Sequence, residues 1–188
     1  IDTSGSILNI DRMASVNTSA PNGRKGTWLL DPGEISIVAG SGGSFSTGDT
    51  TGTVGTGTVG SGDSTGTTLP VGTGNYPNTN TISIVSSIGA EKLMQALGLS
   101  NVVIETNANL SGNGNININA PISWSTNTLT LKAHNNINVN ASMDAGTGSL
   151  AFHYGLATAD GSGSAVNVGS NAEILIPDAD AFHWQKGS

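Results

Sequence analysis

Residues 115–131 read NININAPISWSTNTLTL, and residues 136–152 read NINVNASMDAGTGSLAF. The second stretch repeats the first at an offset of 21 residues, through the pairs Asn115/Asn136, Ile116/Ile137, Ile118/Val139, Ile122/Met143, Leu129/Leu150 and Leu131/Phe152. Self-similarity at a fixed short period is typical of repeat architectures, in which each unit packs on the next. We infer that the chain repeats itself because its neighbour in space is its own next turn.

Short apolar strands separated by Gly, Asn and Ser recur on this cycle. Stacked strands lie about 4.8 Å apart, so residues one cycle apart would lie on top of each other. We therefore predict an all-β fold, a parallel β-helix (a solenoid of about 21 residues per coil) with one short helix and a long Gly/Ser/Thr-rich insertion. The side chains predicted to point inward are Ile116, Ile118, Leu129, Leu131, Ile137, Val139, Leu150 and Phe152.

Asparagine occupies the alternate positions of the same strands, which predicts ladders of stacked side-chain amides on the outer face. The predicted ladder pairs are Asn115 with Asn136, Asn117 with Asn138, and Asn119 with Asn140. A third, longer cycle is predicted to place Val166 and Val168 over Ile137 and Val139, and Ile174 and Ile176 over Leu150 and Phe152. Residues 157–164 would form the loop that lengthens it.

Composition limits the class of protein. The chain has 188 residues, enough for one domain, and is 36% hydrophobic but only 10% charged and 4% aromatic. Its net charge of −7, with only six Lys and Arg residues, argues against nucleic acid or an anionic membrane surface as partner. The chain has no cysteine, which excludes disulfides and thiolate chemistry. No apolar run reaches the length of a membrane-spanning helix, so membrane insertion is not expected.

We divide the single domain, residues 1–188, into four segments. Residues 1–39 hold the first strands, with a turn at 31–33 between two alternating apolar runs. Residues 40–80 are a low-complexity surface insertion rich in Gly, Ser and Thr. Residues 81–100 hold a strand and a helix over 89–98 that ends at Gly98, and residues 101–188 form the stacked coils.

Candidates for chemistry are few. His134, His153 and His183 lack the spacing of metal ligands, and we interpret them as exposed and non-functional. Asp178 and Asp180 are two residues apart and would share a strand face, which suits a cation or a catalytic pair. Lys132 is the only basic residue over 101–177, so a basic partner for such carboxylates is missing. We therefore predict no catalytic, cofactor-binding or metal-binding residues, no cofactor and no enzyme activity.

The segment GTWLLDPGEISI, then the Ser/Thr/Gly-rich insertion, the short helix, NVVIET, ISWSTNTLTLKAHNNINVNASM and GTGSLAF together resemble the repeat region of filamentous-haemagglutinin-like adhesins. These are large exoproteins of the two-partner secretion pathway. The resemblance covers residues 26 to about 154 and implies a right-handed parallel β-helix, secretion to the cell surface and, for the full-length protein, an outer-membrane transporter. The NPNG-type secretion motif of that family is absent, which places this segment downstream of it.

Three functions stay open on this evidence. The first is a structural, adhesive extracellular segment that contributes to attachment, biofilm formation or contact with glycans or cell-surface receptors. The second is a carbohydrate-active β-helix enzyme, a polysaccharide lyase or hydrolase, with Asp144, Asp178 and Asp180 as the carboxylates to test. The third is a self-assembling fibre module that joins end to end through unpaired strand edges.

Overall fold

We describe the fold from a computed structural model of the chain. The structure describes residues 1–5, 8, 10, 13–40, 45–47, 84–107 and 112–188. The surface insertion predicted at 40–80 lies outside these residues except for its first residue and 45–47.

The described residues form fourteen strands, one α-helix and one short 3₁₀ helix. The first strands are β1 (Thr27–Leu30), β2 (Ile35–Val38), β3 (Phe45–Thr47) and β4 (Ile84–Gly89), followed by α1 (Ala90–Leu99). The strands after the helix are β5 (Asn101–Glu105), β6 (Ile116–Ile118), β7 (Ile122–Ser123), β8 (Thr128–Ala133), β9 (Ile137–Val139), β10 (Met143–Asp144), β11 (Ser149–Tyr154), β12 (Val166–Val168), β13 (Ile174–Leu175) and β14 (Phe182–Lys186). The 3₁₀ helix, Ala179–Ala181, precedes β14.

The strands are arranged in three sheets. The five-stranded sheet has the order β1-β5-β8-β11-β14, the three-stranded sheet β13-β10-β7, and the six-stranded sheet β12-β9-β6-β2-β4-β3. All described pairings are parallel except that of β3 with β4, which is antiparallel. Strands β1 and β2, which flank the turn predicted at 31–33, therefore belong to different sheets and do not form a hairpin.

The predicted offset of 21 residues is confirmed where the repeat was read. Ile116 pairs with Ile137, Ile122 with Met143 and Leu129 with Leu150, one pair in each sheet. The spacing differs elsewhere, since Asn101 contacts Thr128 at a separation of 27 residues and Asn138 contacts Asn167 at a separation of 29. Still longer excursions join β1 to β5 and β2 to β6.

The prediction of an all-β, right-handed parallel β-helix with about 21 residues per coil is therefore wrong as the fold class. Three distinct parallel sheets combine with an α-helix that packs into the core, an arrangement closer to the α/β class, and one strand runs antiparallel. The physical reason is that the connections between paired strands vary in length and content. One of them carries α1, which buries Leu93 and Leu97 against the sheets.

The inner faces of the three sheets share one hydrophobic core. All eight side chains predicted to point inward are fully buried, with no exposed surface. Each fully buried aliphatic side chain contributes about 1.5–3 kcal/mol relative to an exposed one, so this core is the main source of stability. The predicted helix at 89–98 is confirmed with its bounds moved by one residue, to Ala90–Leu99.

The third cycle was predicted only in part. Val166 and Val168 do pair with Ile137 and Val139. Ile174, however, pairs with Met143, and the partners of Leu150 and Phe152 are Phe182 and Trp184 on β14. The prediction that Ile174 and Ile176 take those places is wrong, because β13 belongs to the three-stranded sheet and the chain reaches the five-stranded sheet only after the 3₁₀ helix.

Candidate functional surfaces

A groove beside α1 is the best-formed concave site described. Its volume is about 280 Å³, and it is lined by Met94, Pro121, Ile122, Ser123, Ser142 and Asp144. Asp144 is half-buried, and its Oδ1 accepts a hydrogen bond of 2.9 Å from the backbone N–H of Gly146. Asp144 is the only ionisable residue of that lining, so the groove holds no acid and base pair of the kind that acid–base catalysis uses.

The two carboxylates predicted to share a strand face do not do so. Asp178 precedes the 3₁₀ helix Ala179–Ala181, and its Oδ1 accepts a 3.0 Å hydrogen bond from the backbone N–H of Asp180. Both residues are exposed. The Asp178 carboxylate therefore caps a turn, a local use that spacing alone does not reveal.

A charged row crosses the outer face of the five-stranded sheet, formed by Asp31, Glu105, Lys132 and His153. Glu105 pairs in register with Lys132, and Lys132 with His153. Asp31 follows Leu30, whose partner is Ile104, and so stands next to Glu105. Lys132 Nζ lies 3.2 Å from Glu105 Oε2, and both side chains are 35% exposed. A partly exposed ion pair of this kind contributes about 0–1 kcal/mol.

The row shifts the ionisation of its members. Burial raises the pKa of Asp31, with further increases from the neighbouring Glu105 and Asp2 carboxylates and a smaller decrease from Lys132. The Asp31 Oδ1 is buried without a hydrogen-bond partner, in agreement with that direction. Burial lowers the pKa of His153, and the charge of Lys132 lowers it further.

Sequence reasoning missed this row because it treated Lys132 as isolated. The signal is present in the strands themselves, which share a pattern of two apolar residues at alternate positions followed by a polar or charged one: TWLLD, NVVIE, TLTLK, SLAFH and AFHWQ. Parallel in-register strands bring the last residues of these segments into one row. The 21-residue period could not show it, because only β8 and β11 obey that period.

The predicted amide stacking is present on the outer face of the six-stranded sheet. Asn138 Nδ2 donates to Asn117 Oδ1 at 2.8 Å, and Asn167 Nδ2 donates to Asn138 Oδ1 at 2.8 Å. Beside them, Asn140 Nδ2 donates to Asn119 Oδ1, also at 2.8 Å. We call these five residues the asparagine ladder. In the third predicted pair, Asn115 Oδ1 instead accepts from the backbone N–H of Asn136.

The ladder has a direction and ends on a charge. Each amide donates toward the preceding strand, and Asn117 Nδ2 donates to Glu34 Oε1 at 3.2 Å. Glu34 also accepts from the backbone N–H of Asn113 at 2.9 Å. Hydrogen bonds to a carboxylate are stronger than neutral ones, and bonds in a chain polarise one another, so the ladder is a fixed array rather than a set of free side chains.

Among the residues that the structure describes, no group of three or more His, Asp or Glu side chains could hold a metal ion. No described helix is long and apolar enough to cross a membrane. Comparisons of the chain with protein-family models, with curated proteins and with solved structures give no match. The resemblance to haemagglutinin-like adhesins therefore stays a prediction.

Proposed function

We propose that this protein is a non-catalytic binding module that presents the asparagine ladder to an extended polar partner, such as a glycan chain or the glycan of a cell-surface receptor. The observation that carries the proposal is the geometry of the ladder. Asn119, Asn140 and Asn167 are exposed, Asn117 and Asn138 are half-buried, and neighbouring strands repeat the same amide.

A fixed amide array suits a repeating ligand. An Asn side chain has two N–H donors and two lone pairs, and stacking uses one donor and one lone pair of a central residue such as Asn138. The remaining donor and acceptor stay available at a spacing set by the strands, about 4.8 Å. Hydroxyl groups along a polysaccharide can pair with such an array at many points, each of them weak.

Several features support binding over catalysis. The charge of Glu105 is matched by Lys132, and the carboxylate of Asp144 is bound within its own turn. Weak single contacts gain strength when many copies act together, which fits attachment at a surface. An extracellular or cell-surface location belongs to this proposal and rests on the resemblance to secreted adhesins.

A glycan array tests the proposal. The protein would be biotinylated and displayed as a tetramer on streptavidin, since a single copy binds too weakly to measure. We expect Asn138→Leu to weaken binding by about 10-fold or more, because it removes the central amide of the ladder at similar volume. The matched control is Thr130→Val on the outer face of β8, which should leave binding unchanged.

Folding of both variants is checked by circular dichroism before binding is compared. The proposal fails if the tetramer binds no glycan, or if the two substitutions weaken binding equally. Release of shortened oligosaccharides during incubation would instead support a carbohydrate-active enzyme.

A further inference from the structure

Strands β12, β13 and β14 are the outermost strands at one end of the three sheets, and we call this the open end. The three strands are added in the same direction, over β9, β10 and β11 respectively. Their outer edges are paired with no described strand. Unpaired edges are templates for association with another strand.

Side chains that should belong to the core are exposed at the open end. Val168 is 51% exposed although its register partner Val139 is fully buried. Trp184 is 56% exposed although its partner Phe152 is fully buried. The open end is thus an uncovered cross-section of the core, surrounded by strand edges.

The opposite end is covered by the chain itself. The backbone N–H of Thr3 donates to the carbonyl of Leu29 at 3.0 Å, so residues 1–5 run along the free edge of β1. Beside β7, the backbone N–H of Ser123 donates to Met94 Sδ of α1 at 3.2 Å. A head-to-tail fibre needs two complementary open ends, whereas one open end can be closed by an identical open end through a two-fold axis.

The edge of β14 can pair with itself. Gly187 N–H donates to the Tyr154 carbonyl at 2.9 Å, which fixes the direction of the backbone groups along the strand. In a parallel pair alternate residues face the neighbouring strand, so the N–H and C=O groups of Phe182, Trp184 and Lys186 face away from β11. An antiparallel copy centred on Trp184 would exchange hydrogen bonds between Trp184 and its equivalent, and between Phe182 and Lys186.

We propose that the open end binds a second copy of this chain, with β14 pairing antiparallel to β14 of the other copy across a two-fold axis at Trp184. Charge supports this occupant. Antiparallel pairing brings Lys186 at the end of β14 close to Asp178 and Asp180, which precede β14 in the other copy. Each end of the paired strands then joins a cation with carboxylates.

The aromatic cluster at this edge continues across the proposed interface. The Phe152 and Phe182 ring centroids lie 5.6 Å apart, and those of Tyr154 and Trp184 lie 5.3 Å apart, both edge to face. The exposed Trp184 rings of two copies would meet at the axis and extend this cluster. Tryptophan is among the residues that most often carry the binding energy of an interface.

Sedimentation equilibrium on the intact chain tests the proposal. We expect the mass to rise with concentration from 18.8 kDa to twice that value and to stop there. Trp184→Arg, which places two cations at the axis, should raise the dissociation constant by about 30-fold or more. The matched control is Gln185→Arg, which adds the same charge on the outer face of the same strand and should change it by less than about 3-fold.

A second variant separates interface loss from misfolding. Lys186→Pro removes an N–H that faces away from β11, so it should weaken the dimer without breaking the pairing of β14 with β11. Circular dichroism verifies that each variant is folded. A mass that stays at 18.8 kDa, a mass that keeps growing beyond the dimer, or equal effects of Trp184→Arg and Gln185→Arg would each overturn the proposal. Glycan binding has no part in these measurements, so failure here leaves the proposed function untouched.

Discussion

The cost of truncating one side chain should fall toward the open end of the sheets. Val139 on β9 and Val168 on β12 are register partners and point toward the same core. Val139 has no exposed surface, whereas Val168 is 51% exposed. Val139→Ala and Val168→Ala therefore make the same chemical change in one column of the sheet, and burial is the main difference between them.

The two magnitudes follow from the buried surface. Valine to alanine removes two carbon groups, each contributing about 0.8 kcal/mol when buried, or about 1.6 kcal/mol for Val139. The cavity left between Ile118 and Val168 adds to this, for a total of about 2–3 kcal/mol. The half-exposed Val168 loses about half of the transfer free energy, about 0.8 kcal/mol, and leaves no enclosed cavity.

Urea unfolding of both variants, followed by far-ultraviolet circular dichroism, measures the difference. The protein concentration is held at about 1 μM, which keeps the chain monomeric at the micromolar or weaker affinity of a small interface. We expect the free energy of unfolding to fall by at least about 1 kcal/mol more for Val139→Ala than for Val168→Ala, with unchanged slopes. Equal losses, or a larger loss for Val168→Ala, would refute the placement of β12 at an uncovered end.

Three further outcomes are expected. Ile137→Asp should lower the free energy of unfolding by more than about 3 kcal/mol, because it buries a charge between Ile116 and Val166; an unchanged melting temperature would contradict the register. Because burial and nearby carboxylates raise the pKa of Asp31, the folded state holds that proton more tightly than the unfolded chain, and stability falls as pH rises from 3.8 through the raised value. Asp31→Asn should therefore raise the melting temperature at pH 7 and give a shrinking gain below pH 3.8; the same gain at both pH values would count against this. Burial lowers the pKa of His153, so stability is lost as pH falls below 6.5, and His153→Gln should show a smaller drop in melting temperature between pH 8 and pH 5 than the natural chain.

The inward positions and the asparagine ladder could be read from the sequence because they depend on local alternation. Along β6 and β9 every second residue is aliphatic and every other one is Asn, which assigns the two faces of a strand before any pairing is known. The equal offset of three strand pairs then fixed their register. The helix was also predictable, since Leu93 and Leu97 lie one turn apart and Gly98 follows.

Only the tertiary structure decided the division into three sheets, the charged row and the open end. The pairings of β1 with β5, of β5 with β8 and of β11 with β14 cross connections of unequal length, so no period in the sequence marks them. Ile174 and Phe182 both continue an apolar alternation, and local pattern cannot tell which of them reaches Leu150. The 3₁₀ helix before β14 and the path of residues 155–181 decide this, because strand pairing depends on where the connection returns the chain in space rather than on the strand's own residues.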